Sequence, residues 1–155
     1  MNENKKKIQA IRDLPVKLYT AIAGLNDAQL DTPYRDGGWS PRQIVHHIAD
    51  SHINAFVRMK LIMTEDHPLL KPYDQDSWAK MNDYTRDIAP SVAIVTGIQA
   101  RMADLLEDAS ETDLTRTANH PDNGTMTLQN FLDLYAEHGN NHVQQIVGLR
   151  ARMGW

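Results

Sequence analysis

The sequence predicts an all-α protein: a four-helix bundle with a crossover connection that carries a short extra helix. Apolar residues recur at spacings of three and four through four long segments, and alternating strand patterns are nearly absent. The connection between the second and third of these segments is itself long and holds Pro68 and Pro72. We expect one domain over residues 1–155, with no internal repeat and no low-complexity stretch.

The first helix is expected from about Asn4 to Leu25, with Ile8, Ile11, Leu18, Ile22 and Leu25 on one face. Pro15 lies inside it and predicts a kink or the start of a second piece, because proline lacks an N–H and its ring crowds the preceding turn. A polar loop follows over Asp31–Gly38. Ser40-Pro41 then opens the second helix, with a serine cap and proline at the first helical position. That helix runs to about Met63. Ile44, Ile48, Ala55, Met59 and Ile62 form one apolar face, and Ile53, Val57 and Leu61 extend it, as in a helix buried on more than one side. The connection from Thr64 to about Pro90 carries a short amphipathic piece around Trp78, Met81 and Tyr84. Pro90-Ser91 starts the third long helix, which reaches about Ala109 through Val95, Ile98, Met102 and Leu106. His120-Pro-Asp-Asn-Gly124 reads as a turn, and no sheet is expected. Thr127 caps the last helix, which ends near Arg152.

With 41% hydrophobic and 23% charged residues, the composition is that of an ordinary soluble globular protein. A formal net charge of −4 gives no electrostatic footprint for nucleic acid, and the short run Lys5-Lys6-Lys7 reads as a solvated first helical turn. No apolar run approaches a membrane span, and no secretory signal opens the sequence. Cysteine is absent, which excludes disulfides, thiolate metal ligands and a cysteine nucleophile, and suits a cytoplasmic protein.

The segment Tyr135-Ala-Glu-His-Gly-Asn-Asn-His-Val-Gln-Gln-Ile146 places His138 and His142 four apart on a helix, where both imidazoles share a face. With 7 histidines in 155 residues, roughly 0.3 such pairs arise by chance, so the spacing alone is weak evidence. Direction strengthens it: Leu128, Phe131, Tyr135, Ile146 and Leu149 line the same face, so the pair points into the core. Between them lie Gly139, Asn140 and Asn141, poor helix formers, glycine costing about 1 kcal/mol against alanine. We read these small residues as leaving the open side of a bound ion accessible. A catalytic metal site needs three protein ligands and one open position, so a third donor must come from elsewhere. His67 and His120 lie in proline-flanked loops and read as surface residues. A helical wheel puts His52 among the apolar residues of the second helix, His47 at their flank and His46 outside; this geometry does not choose between His47 and His52.

The stretch Gly38-Trp-Ser-Pro-Arg-Gln-Ile-Val-His-His-Ile-Ala-Asp-Ser-His-Ile-Asn54 resembles the start of the second helix in the DinB/YfiT-like family. The matching residues are Trp39, Ser40 and His47-Ile48-Ala49-Asp50; His138 and His142 match the family's His-x-x-x-His, and Lys71-Pro-Tyr-Asp74 with Trp78 is similar to the YfiT branch. The resemblance covers most of the chain from Trp39 onward. It implies a four-helix bundle holding a divalent metal, Zn2+ first and Ni2+ second, on His47, His138 and His142, in a metal-dependent hydrolase that is often a homodimer. Relatives in the wider family resemble transferases that use a low-molecular-weight thiol such as bacillithiol or mycothiol.

Three neutral imidazoles leave the ion's charge largely uncompensated, which lowers the pKa of bound water from 15.7 toward about 7. Hydrolysis of an ester or amide is therefore the first reading, with a small-molecule substrate. Thiol S-transfer is the second, since metal coordination deprotonates a thiol. A non-catalytic, stress-associated helical dimer is the third. Asp50, Arg58 and Tyr135 are candidates for the remaining chemistry, Asp50 as a carboxylate behind a ligand imidazole and Arg58 as the partner of an anionic substrate or of a carboxylate side chain. Asn54 and Asn141 are read as lining the approach to the metal, and Trp39, Trp78 and Trp155 as packing anchors.

Overall fold

The computed structural model describes residues 2–155. Its helices are α1 (Glu3–Ile22), α2 (Asp27–Leu30), α3 (Pro41–Thr64), α4 (Gln75–Trp78), α5 (Ala89–Glu107), α6 (Glu111–Leu114) and α7 (Leu128–Met153). A 3-10 turn covers Asn82–Thr85, and a hairpin pairs β1 (Thr117–His120) with β2 (Gly124–Thr127). The four long helices form a bundle as expected. The short elements outnumber the single extra helix that the sequence suggests.

Local chemistry sets the main boundaries. Ser40 and Gln43 form a reciprocal capping box at the start of α3, with Pro41 just inside it. Thr127 and Asn130 do the same for α7. Gly154 ends α7 in the left-handed region, with φ 70°. Pro15 neither ends α1 nor starts a second piece, because Ile11, Leu14 and Leu18 are fully buried on the same face and hold the helix across one missing N–H. The hairpin is a correction to the no-sheet expectation. The turn at His120–Gly124 is present, with Gly124 at φ 71°, and the β-branched Thr117, Thr125 and Thr127 flanking it pair in register across it.

Side-chain contacts give the helix directions. His46 meets Ser91 and His52 meets Gln99, so α3 and α5 run parallel. Lys7 meets Asp133 and Lys17 meets Asn140, so α1 and α7 run parallel. His52 meets His138 while Leu128 and Phe131 pack with Ala55, Met59 and Ile62, so α3 and α7 are antiparallel. The order is up-down-down-up, and α1 and α3 each pack on both α5 and α7. The connection between the parallel neighbours α3 and α5 must therefore return along the bundle, which is the expected crossover. It is tied down on the way: Leu70 donates to the Asn119 carbonyl and Asn119 donates to the Pro68 carbonyl, stitching it to β1.

Two apolar clusters fill the bundle. One holds Ile11, Met59, Ile62, Met102, Leu106 and Phe131; the other holds Leu14, Leu18, Ile44, Ile48, Val95 and Ile146. Between them, over neighbouring turns of α3, α5 and α7, lie His47, His52, Gln99, His138 and His142. Gly139 belongs to the packing and not to access, which corrects its expected role. A Cβ there would sit 2.2 Å from Leu14 Cδ2, so glycine lets α1 and α7 approach closely. Asn140 back-bonds to the Ala136 carbonyl and Asn141 is exposed. Gly139→Ala is thus expected to destabilise despite better helix propensity: overpacking costs about 1–3 kcal/mol against a gain of about 1. The net loss, up to about 2 kcal/mol, would lower Tm by roughly 2–4 °C per kcal/mol in a thermal melt; a raised Tm would refute it.

Candidate metal centre

His47 projects from the second turn of α3, and His138 and His142 project from consecutive turns of α7. Each offers a ring nitrogen, and the three atoms lie within 4.8 Å of one another. The ring centroids are 4.7 Å apart for His47–His142 and His138–His142, and 5.4 Å for His47–His138. These are the three protein ligands that a zinc-type site would need, with a fourth position left open.

The surroundings fix which nitrogen is free. Gln99 Nε2 donates to the Ile11 carbonyl at 3.0 Å, which orients its amide. Its Oε1 lies 2.6 Å from His52 Nδ1, so His52 donates there and keeps an acceptor at Nε2. His138 Nδ1 lies 3.2 Å from that Nε2 and donates to it, leaving His138 Nε2 as the free donor of an electron pair. This chain crosses all four long helices, from Ile11 on α1 through Gln99 on α5 and His52 on α3 to His138 on α7. His142 is held in the same way: its Nδ1 donates to Gln145 Oε1 at 2.9 Å. His47 differs. It is 1% exposed, and neither ring nitrogen has a hydrogen-bond partner. A buried polar side chain without any partner is costly, and a metal ion satisfies it. The donor set therefore fits a divalent cation held by neutral imidazoles.

Burial also keeps the rings neutral. It pushes His47 down to about 3 and His138 to about 2, with the neighbouring imidazoles adding to the effect, and His52 to about 4. His142 moves in the same direction for the same cause. Neutral imidazole is the form that ligates metal.

Trp39 stacks over His142 at 6.0 Å and tilts against His47 at 4.6 Å, so this packing anchor covers one flank of the cluster. Two cavities reach it. One of about 230 Å³ is lined by Tyr34, Trp39, His142 and Gln145; the other, of about 200 Å³, by Ser51, Arg58, Tyr73, His120, Tyr135 and His138. Gln75, the first residue of α4, lines both. A larger cavity of about 550 Å³ between α1 and α7 contains none of these histidines.

Of the other predicted residues, Tyr135 is placed beside His138, with its hydroxyl 3.5 Å from Ser51 Oγ. Arg58 lines the second cavity. Asp50 does not back a ligand imidazole. Its carboxylate accepts from the Tyr84 hydroxyl at 2.6 Å, and burial raises its pKa. The supporting acceptors are His52, itself held by Gln99, for His138 and Gln145 for His142. Gln99 was legible as a polar residue between Val95 and Met102 on an apolar stripe, whereas Gln145 carried no such signal. Asn54 turns back to the Asp50 carbonyl and lines neither cavity. His46 is buried, not outside: it pairs with Ser91 Oγ at 2.7 Å and the Arg86 carbonyl at 3.2 Å. His120 is buried too, because β1 turns it inward under the crossover, while His67 is exposed as expected.

The family model for the DinB superfamily matches residues 10–146. A relative from Oceanobacillus iheyensis is 43% identical over 96% of this chain and 86% of its own length. YfiT from Bacillus subtilis is 42% identical over 99% of this chain and 87% of its own. Both carry the name "putative metal-dependent hydrolase". The solved structure of YfiT superposes with a TM-score of 0.95 at 40% identity, covering 100% of this chain and 91% of that one. It is described as a probable metal-dependent hydrolase with an unusual four-helix bundle topology.

Two outcomes follow from this geometry. The unfolded chain titrates its histidines near 6.5, and the folded chain holds His47, His52 and His138 far below that. Between those values the unfolded state binds more protons. The stability of the metal-free protein is therefore full above pH 6.5 and falls as the pH drops from there toward 3, at up to about 1.4 kcal/mol per pH unit for each histidine. Urea midpoints between about pH 7.5 and 5 check this, and a flat profile would contradict it. Separately, Gln99→Met removes the acceptor behind His52 and should weaken Zn2+ binding roughly 10- to 100-fold in a chelator competition titration. Unchanged affinity in a folded variant would show that the chain of hydrogen bonds does not act on the site.

Proposed function

The chain belongs to the DinB superfamily, and from that premise we propose that it is a metal-dependent hydrolase acting on a small-molecule substrate. His47, His138 and His142 hold one divalent ion in this reading, Zn2+ first and Ni2+ second. The observation that carries it is the partnerless, buried His47 facing two imidazoles whose remaining nitrogens are already occupied. When bound, the ion supplies Lewis acidity and brings water within reach of deprotonation near neutral pH.

The chain's own groups do the rest. His52 and Gln145 hold the tautomers of His138 and His142, so neither of those rings has to turn as substrate arrives. Trp39 excludes water from one flank of the cluster. Ser51 and Tyr135 offer hydroxyls to a substrate oxygen in the cavity beside His138. We read residues 1–155 as one domain working in the cytoplasm as a homodimer; exposed Val16 and Val147 beside Trp155 would give such a dimer an apolar face.

Protein prepared without a histidine tag should bind about one Zn2+ per chain and hydrolyse a generic aryl ester. His47→Ala or His142→Ala should lower both, with turnover falling roughly a hundredfold or more. Elemental analysis and a chromogenic ester assay, each run with and without a small thiol, are the measurements. Full zinc content in His142→Ala would overturn the ligand set, and turnover only with added thiol would replace hydrolysis by S-transfer.

A further inference from the structure

The protein buries two arginines, and they are provided for very differently. Arg42 is bound by Asp31 at 2.6 Å and Asp27 at 2.8 Å, and donates to the Arg86 carbonyl at 3.1 Å. Arg58 is 9% exposed, yet among the described residues no carboxylate lies within ion-pair distance of it. Its Nη2 donates to the Lys71 carbonyl at 2.5 Å, and its guanidinium lies 6.0 Å from the Tyr73 ring centroid. Arg58 also lines the cavity that ends at His138. A largely buried guanidinium without a counter-ion, on the wall of a cavity, is a candidate partner for an anionic ligand.

The cavity's size and other donors limit that ligand. About 200 Å³ corresponds to roughly seven waters, room for a carboxylate and a few further atoms inside the cavity. His120, on the same wall, accepts the Asp122 N–H at Nδ1, so its neutral ring presents an N–H at Nε2. Ser51, Tyr73 and Tyr135 add hydroxyls. One full positive charge surrounded by neutral donors matches a monoanion, and the planar guanidinium matches a planar carboxylate.

We propose that Arg58 is the specificity residue of this site, and that the substrate is a small carboxylate whose acid group sits on Arg58 while its reacting end lies toward His138. The proposal rests on reading that cavity as the approach to the metal centre. Arg58 on α3 and His138 on α7 line the same cavity, so the acid group and the reacting end would meet facing helices.

The test is a binding comparison. Butyrate, butyramide and methyl phosphate are titrated calorimetrically into wild-type, Arg58→Lys and Arg58→Gln protein, each in zinc-loaded and chelator-stripped form. The metal itself attracts carboxylates, so the quantity read is the change in butyrate preference between wild type and Arg58→Gln. Wild type should prefer butyrate to butyramide by about tenfold or more, Arg58→Gln should lose that preference in both forms, and Arg58→Lys should keep part of it. Thermal melts confirm that each variant is folded; should Arg58→Gln not fold, the comparison of wild type with Arg58→Lys decides. Equal binding of acid and amide by wild type, or a preference that survives in Arg58→Gln, overturns the proposal. Tighter binding of methyl phosphate than of butyrate overturns the carboxylate assignment. Because the readout is binding, an Arg58-dependent preference in a protein that hydrolyses no ester leaves the anion site standing and removes the hydrolase reading alone.

Discussion

A belt of polar side chains through the middle of the bundle is the constraint on which the rest of the structure depends. Gln99 and His52 are fully buried, and they link the Ile11 carbonyl to His138 through three hydrogen bonds that touch every long helix. Such a belt is stable only if every member is satisfied, because an unpaired polar group between two apolar layers costs more than its hydrogen bonds return. Each donor in the chain has one acceptor, and the chain ends on a nitrogen with a free electron pair. Helix register is thereby tied to the tautomer of a candidate metal ligand. Sliding α5 by one turn would break Gln99 away from both Ile11 and His52.

The belt also separates two kinds of packing. The apolar clusters on either side are filled by ordinary aliphatic and aromatic side chains and tolerate the usual exchanges of shape. The level of the histidines is less forgiving. Gly139 must lack a Cβ for α1 to lie close to α7, and Leu14, which fills that space, belongs to the same apolar cluster as Ile48 and Val143 beside the cluster of imidazoles. Of the helix-breaking residues between His138 and His142, Gly139 thus serves helix approach.

The up-down-down-up order explains why the approach to the site is built from the crossover. Because α3 and α5 are parallel, their connection has to travel the length of the bundle, and it passes over the open side of the histidines. Tyr73 and Gln75 come from that passage, and His120 comes from the hairpin that Pro68 and Leu70 pair with. The bundle supplies the ligands. The returning chain supplies the walls of the cavities, and Lys71 within it supplies the carbonyl that holds Arg58.

Much of this was legible in the residues alone. Periodicity gave four long helices, Ser40-Pro41 and Thr127 gave two of their starts, and the inward pair His138 and His142 gave two thirds of the cluster, because helix spacing and capping are local properties of the chain. The hairpin escaped because its strands are four residues long, too short for an alternating pattern to stand out. Whether His47 or His52 completes the triad could not be read from the wheel; a family motif pointed to His47, and the packing of α3 against α5 and α7 turns His52 onto Gln99 and leaves His47 without a partner. Asp50, expected behind an imidazole, faces Tyr84 because the 3-10 turn lies on that side of α3. The sequence by itself determined which residue types could bind an ion and which helix faces carried them. Only the tertiary structure decided which of them converge, which nitrogens stay free and which arginine lacks a counter-ion, because those depend on distances between helices that no single helix encodes.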